Sequence, residues 1–458
     1  MFKEPSVCLV SPATRANSHI VPTALLYISA WLEKHGIEVD IIDQKIKTNN
    51  TYLSKKQVSG INAEIVNRLK NISPTHVGIT CYTFDYRSVK ELAGAIKNHM
   101  DVKIIVGGVH ARLKPEDFLY ELSPFDYVAI GEGEELLVEL LRREKKGTDI
   151  AGIKGLAYKK EGNIIKSENE SYAELKYMPI PSYEKIDMEF YVEPNRSVVR
   201  ALPASGVHIF TTKGCPYACT FCANRQQKVR YRPVESVVEE IEFLKNKYSI
   251  DSFYIQDDTF CLKEERVFEF ADCLEFKNLG MFWGLETRVN LLTEDMIKRL
   301  KKAGCIQIDF GVESGSQECL DRMKKKIKVE DTIKIFALCR KYGLRTFANF
   351  MFNTPDETEE DVKKTIGLMK EIKSTVYGTN LTIPLLGTKI YDDYVIPKLT
   401  TDEYALFEDE DMYRNIKEPR FKLAKHNIDL KKLKPKIMMR FMLFKSIIDL
   451  TTNKLYWK

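Results

Sequence analysis

The chain has 458 residues, of which 44% are hydrophobic and 29% are charged. This composition is typical of a folded protein with two or three domains, and it excludes collagen-like, repeat-rich and disordered classes. Because 70 basic residues nearly balance 65 acidic ones, the net charge is only +5, and we expect no nucleic-acid partner.

The sequence begins without an apolar signal-peptide core, and none of its apolar stretches is long enough to cross a bilayer. We therefore expect a cytoplasmic protein in a reducing compartment, whose ten cysteines form no disulfide framework. Seven of the cysteines lie singly among apolar neighbours and are expected to be small buried side chains. The remaining three lie close together, which indicates a metal site.

Apolar strand-like runs and amphipathic helices alternate over residues 1–145. We predict strands at Ser6–Ser11, 39–42, 76–81, 102–106 and 126–130, and helices at 22–35, 63–69, 89–97 and 135–143. This alternation predicts an α/β fold with a Rossmann-like, doubly wound parallel sheet, whose ligands bind in the loops beyond the carboxyl ends of the strands. Residues 146–204 contain a predicted hairpin around Gly162-Asn163 and a proline-rich turn, and we interpret them as a connector between two domains.

A second strand–helix series begins near residue 205. Strands are predicted at 208–211, 253–255, 282–285, 306–310, 346–351 and 380–383. Six such units predict a partial (βα)6, TIM-like barrel over residues 205–395, with its active site at the carboxyl ends of the strands. Residues 396–458 predict a small helical region. Its basic and apolar run at 437–450 either packs on the barrel or makes a peripheral contact with the inner face of a membrane.

Three cysteines, Cys215, Cys219 and Cys222, lie within eight residues in the loop after the first barrel strand. Thiolates are soft ligands that suit iron–sulfur clusters or zinc. A structural zinc site needs four ligands, and no fourth cysteine or histidine follows nearby. Three thiolates on a four-iron cluster leave one iron open to a bound molecule.

The spacing C-x₃-C-x₂-C, with the aromatic Phe221 before the third cysteine, resembles the signature of the radical S-adenosylmethionine (SAM) superfamily. The resemblance implies that Cys215, Cys219 and Cys222 hold a 4Fe–4S cluster that cleaves SAM reductively. It also implies that no protein nucleophile is required, because the cofactors carry the chemistry.

Further segments resemble the superfamily's SAM contacts, and they occur in the expected order. Gln256-Asp257-Asp258 ends the second barrel strand where the superfamily commonly has Gly-Gly-Glu, so any of the three could accept the SAM ammonium. The stretch 349–358 resembles the superfamily's G-x-P-G-E-T segment, with Asn353 and Asp356 in place of glycines. The SAM contacts that the resemblance implies are Phe221, Gln256, Asp257, Asp258, Arg288, Glu313, Ser314, Pro384 and Leu385.

The segments 106–110 and 131–134, together with 21–32, are similar to the cobalamin-binding domain that precedes many radical SAM barrels. Gly107 and Gly108 would let the backbone approach a large planar macrocycle closely. The alternative is a Rossmann-like scaffold that has lost its ligand. The cobalamin contacts that the resemblance implies are Ser11, Pro12, Cys81, Tyr82, Thr83, Gly107, Gly108, Val109, His110, Gly131, Glu132, Gly133 and Glu134.

The motif D-x-H-x-x-G, whose histidine ligates cobalt in other cobalamin-binding domains, does not occur in the sequence. His76 and His110 lack its context, so we expect both to be turn or packing residues, with no protein histidine on cobalt. This absence is typical of the class B radical SAM methyltransferases, which the chain resembles over residues 1–395.

The resemblance implies a cobalamin-dependent radical SAM C-methyltransferase, in which a 5′-deoxyadenosyl radical takes hydrogen from an unactivated carbon and methylcobalamin supplies the methyl group. The alternative keeps both cofactors but replaces methyl transfer by cyclisation, oxidation or ring rearrangement, as in the anaerobic magnesium-protoporphyrin cyclase. A methylthiotransferase would need a second cysteine triad in the N-terminal domain, where only Cys8 and Cys81 occur. A redox or cobalamin sensor would need no SAM pocket. We expect a small-molecule or lipid substrate and an electron donor such as flavodoxin or ferredoxin.

Overall fold

The computed structural model describes residues 4–12, 20–44, 55–194, 198–395 and 422–428. These residues form two compact units, the first reaching to Tyr191 and the second beginning at Val192. None of the described helices is long and apolar enough to pass through a membrane. The predicted basic and apolar run at 437–450 lies outside the described residues.

The first unit is built on a seven-stranded sheet. Its strands are β1 (Ser6–Ser11), β2 (Glu38–Asp43), β3 (His76–Thr80), β4 (Lys103–Gly107), β5 (Tyr127–Ala129), β6 (Leu156–Lys160) and β7 (Asn163–Lys166). Its helices are α1 (Thr23–Lys34), α2 (Lys55–Ile72), α3 (Tyr86–Lys97), α4 (Val109–Leu113), α5 (Gly133–Lys146) and, at the division between the units, α6 (Met188–Val192). The strand order is β2-β1-β3-β4-β5-β6-β7, and the pairs up to β5 are parallel, which confirms the predicted doubly wound sheet.

Strands β6 and β7 form the hairpin that the sequence placed in a connector between domains. They are added antiparallel to the edge strand β5, and Leu156 and Ala157 are buried at that junction. Gly155 precedes β6 with a φ of +76°, and a Cβ atom there would lie 2.5 Å from the carbonyl oxygen of Ile130. The hairpin therefore extends the sheet of the first unit, and the two units divide only after it, at residues 191 and 192.

The carboxyl ends of the parallel strands define one functional edge of this sheet. β1 is buried on both faces, which explains its unbroken apolar run. The apolar side chains of α3 recur at helical spacing and pack on the sheet. Because β1, β3, β4 and β5 are parallel, the loops at 11–12, 81–83, 108–110 and 130–132 all emerge at the same edge.

The second unit contains six parallel strands and seven helices in its described part. The strands, in their order across the sheet, are β8 (Gly206–Ile209), β11 (Ser252–Ile255), β12 (Phe282–Thr287), β13 (Cys305–Glu313), β14 (Arg345–Phe352) and β15 (Val376–Leu381). A separate antiparallel ribbon is formed by β9 (Thr212–Lys213) and β10 (Arg230–Tyr231). The helices are α7 (Val234–Tyr248), α8 (Glu264–Lys277), α9 (Glu294–Lys302), α10 (Gln317–Arg322), α11 (Val329–Lys341), α12 (Glu359–Ile372) and α13 (Lys389–Tyr394). The predicted series of six strand–helix units is confirmed.

Candidate functional site

The three clustered cysteines lie in a loop, residues 214–229, which is closed at its base by the ribbon of β9 and β10. Gly214 opens the loop with a φ of +92°, and a Cβ atom there would lie 2.4 Å from the carbonyl oxygen of Lys228. Only glycine fits this position. Across the loop, the main-chain N–H of Gln227 donates to the carbonyl oxygen of Cys215 at 2.8 Å. The cysteine loop is therefore folded on itself by its own main chain.

The carboxylate of Asp257 fastens the start of the cysteine loop to the end of β11. Asp257 is 1% exposed and accepts hydrogen bonds from the Thr211 N–H at 2.7 Å, the Thr211 hydroxyl at 2.5 Å and the Thr212 N–H at 3.0 Å. Burial raises the pKa of Asp257, and these hydrogen bonds oppose the rise. Asp257 thus positions the cysteine loop, and its contact with SAM stays a prediction.

Each of the three thiols lies near a hydrogen-bond donor of the protein. The contacts are Cys219 Sγ to Arg288 Nη1 at 3.6 Å, Cys222 Sγ to the Asn224 N–H at 3.4 Å and Cys215 Sγ to the Thr259 hydroxyl at 3.8 Å. Hydrogen bonds to cluster sulfurs tune the reduction potential of iron–sulfur centres. In the described ranges no three Cys, His, Asp or Glu side chains converge on a single metal ion. A four-iron cluster does not need such convergence, since each thiolate ligates a different iron.

Arg288 holds the cysteine loop against the segment after α10. Its guanidinium carbon lies 3.7 Å from the ring centroid of Tyr217, which belongs to the loop. Its Nη2 donates to the carbonyl oxygens of Lys325 and Lys326. The side chain is 5% exposed. The structure therefore gives Arg288 a positioning role, and its contact with SAM stays a prediction.

Two predicted SAM contacts retain a buried acceptor atom without a partner. Glu313 is 4% exposed, and its Oε1 pairs with Lys325 Nζ at 2.7 Å, whereas its Oε2 has no hydrogen bond within the described residues. Gln256 follows β11, and its Oε1 is likewise buried without a partner there. Such acceptors suit the ammonium or hydroxyl groups of a bound molecule. Gln256 and Glu313 therefore stay predicted SAM contacts, and Lys325 is a neighbour that the sequence did not reveal.

Ser314 has a structural partner. Its side chain is fully buried, and its hydroxyl lies 3.1 Å from the hydroxyl of Thr365 in α12. The main-chain N–H of Ser316 also donates to this hydroxyl, at 3.1 Å. Ser314 thus fixes the turn after β13, and its contact with SAM stays a prediction.

The remaining predicted SAM contacts differ in exposure. Asp258 is exposed and accepts a hydrogen bond from Asn224 Nδ2 at 3.1 Å, within reach of the cysteine loop. Phe221 and Leu385 keep partly exposed side chains, whereas Pro384 is buried. Phe221 and Leu385 therefore have surface to offer a ligand, and Pro384 shapes the turn that follows β15.

Glu286 is an acidic residue that the sequence reasoning missed; it lies on β12, just beyond the predicted strand 282–285 and two residues before Arg288. Trp283 packs against Phe270 of α8, so strand alternation places Glu286 on the face of the sheet opposite this helix. In the parallel register Glu286 lies beside Asp309. Asp309 is paired with Arg200 Nε at 2.6 Å, whereas Glu286 makes no hydrogen bond or ion pair with any residue in the described part of the chain.

A Glu286→Gln variant is expected to be more stable than the native chain at pH 8 and about equally stable at pH 5. Burial, and then Asp309, raise the pKa of Glu286 from 4.5 to about 7. Between these values the unfolded chain ionises while the folded chain keeps its proton, so the native chain loses stability as the pH rises. Urea unfolding at both pH values measures the difference, which is of the order of 2 kcal/mol. An equal difference at both would contradict the raised pKa.

The predicted cobalamin contacts lie at the carboxyl edge of the first unit's sheet, but they differ in accessibility. Tyr82 is 51% exposed and is the most accessible of them. Partly exposed or exposed positions are Tyr82, Thr83, Gly107, Gly108, Val109, Gly131, Glu132 and Gly133. Buried positions are Ser11, Pro12, Cys81, His110 and Glu134. A ligand at this edge would meet the first group and not the side chains of Cys81, His110 and Glu134.

Two of the glycines at this edge are required by the packing of the chain itself. A Cβ atom on Gly108, whose φ is +95°, would lie 2.6 Å from the carbonyl oxygen of Cys81. A Cβ atom on Gly131, whose φ is +102°, would lie 2.4 Å from the carbonyl oxygen of Ser171. Gly108 must therefore be glycine for the packing of the chain itself, and its contact with cobalamin stays a prediction.

Both histidines of the first unit that were considered as metal ligands are packing residues, as predicted. His110 is fully buried, is stacked on the ring of Tyr86 at 4.6 Å and places Nε2 3.0 Å from Asp117 Oδ2. His76 places Nε2 2.5 Å from Glu144 Oε2. The contact of His110 with cobalamin stays a prediction.

Comparison with known proteins gives a separate family match for each of the two units. A family model described as the Radical SAM superfamily matches residues 209–369, and one described as the B12 binding domain matches residues 13–141. An uncharacterized methyltransferase of Pyrococcus horikoshii is 30% identical over 408 residues, which cover 85% of this chain and 83% of that protein. The chain belongs to the cobalamin-binding radical SAM enzymes. The anaerobic magnesium-protoporphyrin IX monomethyl ester cyclase of Rubrivivax gelatinosus is 26% identical over 361 residues, covering 76% of this chain and 62% of the cyclase.

The fold of this radical SAM enzyme is also that of a solved relative. The methyltransferase TsrM of Kitasatospora setae, solved with cobalamin and a 4Fe–4S cluster bound, superposes with a TM-score of 0.71. The sequence identity is 21%, and the match covers 86% of this chain and 78% of TsrM. The cofactors predicted from the sequence, a 4Fe–4S cluster, SAM and cobalamin, are therefore confirmed for this enzyme at the level of its family.

The described residues of this radical SAM enzyme fit these groups. The cysteine loop supplies three soft thiol ligands and no fourth, as a cluster that must bind SAM requires. At the cobalamin edge, the Ser11 hydroxyl and both amide atoms of Gln44 are buried without a hydrogen-bond partner in the described chain. The Gln44 N–H donates to the Ser11 carbonyl oxygen at 3.2 Å, so the two residues adjoin. Gln44 was missed because one polar residue after a buried strand gives no pattern.

Proposed function

We propose that this cobalamin-binding radical SAM enzyme transfers a methyl group to an unactivated carbon of a small molecule. The proposal rests on one observation: a single chain contains both the cysteine loop and a unit that matches the B12 binding domain. TsrM, which is a methyltransferase, was solved with both cobalamin and a 4Fe–4S cluster bound. When bound, the cluster and SAM supply a carbon-centred radical for hydrogen abstraction, and cobalamin supplies the methyl group.

The chain's own residues would hold and order these groups. Cys215, Cys219 and Cys222 would ligate the cluster, and the hydrogen-bond donors beside their sulfurs would set its potential. Gln256 and Glu313 would accept hydrogen bonds from SAM through the acceptor atoms that lack a protein partner. The accessible loops at the carboxyl edge of the first unit would contact cobalamin.

The second candidate is cyclisation, oxidation or ring rearrangement with the same cofactors. It is favoured by the 26% identity to the magnesium-protoporphyrin cyclase over 361 residues. The two candidates differ in product mass, because methyl transfer adds one methyl group, whereas cyclisation removes hydrogen or adds oxygen. They differ also in whether a SAM-derived methyl group reaches cobalamin.

We also propose that the enzyme takes electrons from a small donor such as flavodoxin or ferredoxin. Reductive cleavage of SAM needs one electron per event, and radical SAM enzymes draw it from such a reductant. A peripheral contact of residues 437–450 with the inner face of a membrane stays a prediction, as does a lipid substrate, because that run lies outside the described residues.

The test uses the full chain, purified without oxygen, reconstituted with iron and sulfide and loaded with hydroxocobalamin. After desalting, we expect about four irons and nearly one cobalamin per chain. With a strong reductant and SAM bearing a trideuterated methyl group, we expect 5′-deoxyadenosine and a deuterated methyl group on cobalamin. Iron and 5′-deoxyadenosine without methyl transfer to cobalamin would overturn methyl transfer and favour the second candidate.

A further inference from the structure

Residues 422–428 return to the second unit and pack against the turn at 353–358, which follows β14. The Asp356 N–H donates to the Leu423 carbonyl oxygen at 3.0 Å, and the Lys425 N–H donates to the Glu357 carbonyl oxygen at 2.8 Å. Leu423 and its neighbour Ala424 are buried. Residues 422–428, here called the C-terminal strap, are therefore joined to this turn by main-chain hydrogen bonds.

Asn353 is the point at which the turn, the C-terminal strap and the end of β15 meet. Its Oδ1 accepts hydrogen bonds from the main-chain N–H groups of Leu423 at 3.0 Å and Ala424 at 3.3 Å. Its Nδ2 donates to the carbonyl oxygen of Thr382 at 3.2 Å. Asn353 has a φ of +60°, which costs a non-glycine residue energy, and these bonds offset the cost.

A second buried contact joins the C-terminal strap to the same turn. Glu357 is fully buried, and its Oε2 accepts the Asn353 N–H at 2.7 Å and lies 3.0 Å from His426 Nε2. His426 Nδ1 accepts the Ile428 N–H at 3.2 Å, so its ring proton lies on Nε2 and is donated to Glu357. Both ring nitrogens of His426 are thus used to hold the strap in place.

We infer that the C-terminal strap is a positioning element of the SAM site: through Asn353 and His426 it holds the 353–358 turn and the 383–385 segment in the conformation that binds SAM. The inference rests on the proposed function and on two expectations from the sequence: the stretch 349–358 resembles a SAM-contact segment of the superfamily, and Pro384 and Leu385 are predicted SAM contacts. Thr382 lies two residues before Pro384, and Asn353 ties it to the turn. Without the strap, the left-handed turn keeps its strain and loses the bonds that offset it.

The test compares variants of the full, cluster-loaded chain by hydrogen–deuterium exchange and by equilibrium dialysis with labelled SAM. Asn353→Gly removes the bonds to the strap while glycine accepts the positive φ, so the turn itself is not strained. Lys425→Ala is the matched control, because it removes only the exposed pair with Asp356 at 3.0 Å and keeps the main-chain bond.

In the native chain we expect SAM to slow exchange in both the 353–358 turn and the C-terminal strap. In Asn353→Gly, strap exchange should rise and the SAM Kd should weaken by about tenfold, at unchanged iron content. Lys425→Ala should stay within about twofold of native. His426→Ala, which leaves the turn sequence intact, should repeat the Asn353→Gly result.

Faster strap exchange at native SAM affinity, in either Asn353→Gly or His426→Ala, would overturn the inference. So would native exchange and native affinity in both variants. A chain that binds SAM as expected but transfers no deuterated methyl group to cobalamin would overturn the proposed function and leave the role of the strap standing. The two failures are therefore distinguishable in one set of measurements.

Discussion

A Cys219→Ala variant is expected to lose reductive cleavage of SAM altogether while the second unit stays folded. The chemistry belongs to the cluster, and the cysteine loop offers only three thiols to hold it. Cys219 is the most buried of the three, and it faces Arg288 rather than a second thiol that could replace it. Iron content and 5′-deoxyadenosine formation, both measured after anaerobic reconstitution, check the expectation.

The matched control for this experiment is Cys273→Ala. Cys273 is a single, partly exposed cysteine on α8, and its removal should change neither the iron content nor SAM cleavage. If Cys219→Ala retained four irons and cleaved SAM at the native rate, the assignment of Cys219 as a ligand would be wrong.

An Asp257→Ala variant is expected to lower the free energy of unfolding of the apo chain by about 3 kcal/mol and to lose most of its iron. The buried carboxylate accepts three hydrogen bonds from Thr211 and Thr212, and alanine has no acceptor for any of them. The start of the cysteine loop would then be released from β11. Urea unfolding of the apo chain and iron content after reconstitution measure the two effects.

Gln256→Ala, one residue away, provides the contrast. Its side-chain oxygen has no partner among the described residues, so its loss should leave the unfolding midpoint and iron content unchanged while the SAM Kd weakens. The opposite pattern, with a stable Asp257→Ala variant whose only defect is weak SAM binding, would support the sequence-based expectation for Asp257.

The strands could be predicted from the sequence because each buried parallel strand contains a short run of apolar residues. The predicted strand 346–351 and the observed Arg345–Phe352 differ by one residue at each end. The hairpin of β6 and β7 was found, but its membership of the first sheet was not. Antiparallel pairing with β5 depends on a register between residues almost thirty positions apart, for which a single sequence carries no local signal.

The candidate site was predicted well where the chemistry is fixed by residue type and less well where a carboxylate or glycine can serve two purposes. Three thiols at fixed spacing have few other uses, so the cluster ligands could be identified directly. Asp257 and Asp258 look equivalent in the sequence, yet one is buried under three donors and the other is exposed. Gly108 illustrates the same limit, since its absent side chain makes room for Cys81.

The closed base of the cysteine loop has a consequence for the life of the enzyme in air. Gly214, the ribbon of β9 and β10 and the Gln227–Cys215 hydrogen bond order the loop with protein contacts alone. Assembly of the cluster therefore does not have to supply the entropy of folding this segment. We therefore expect oxygen to destroy the cluster and the activity while the cysteine loop keeps its conformation. Iron and sulfide should then restore the cluster without refolding of the chain.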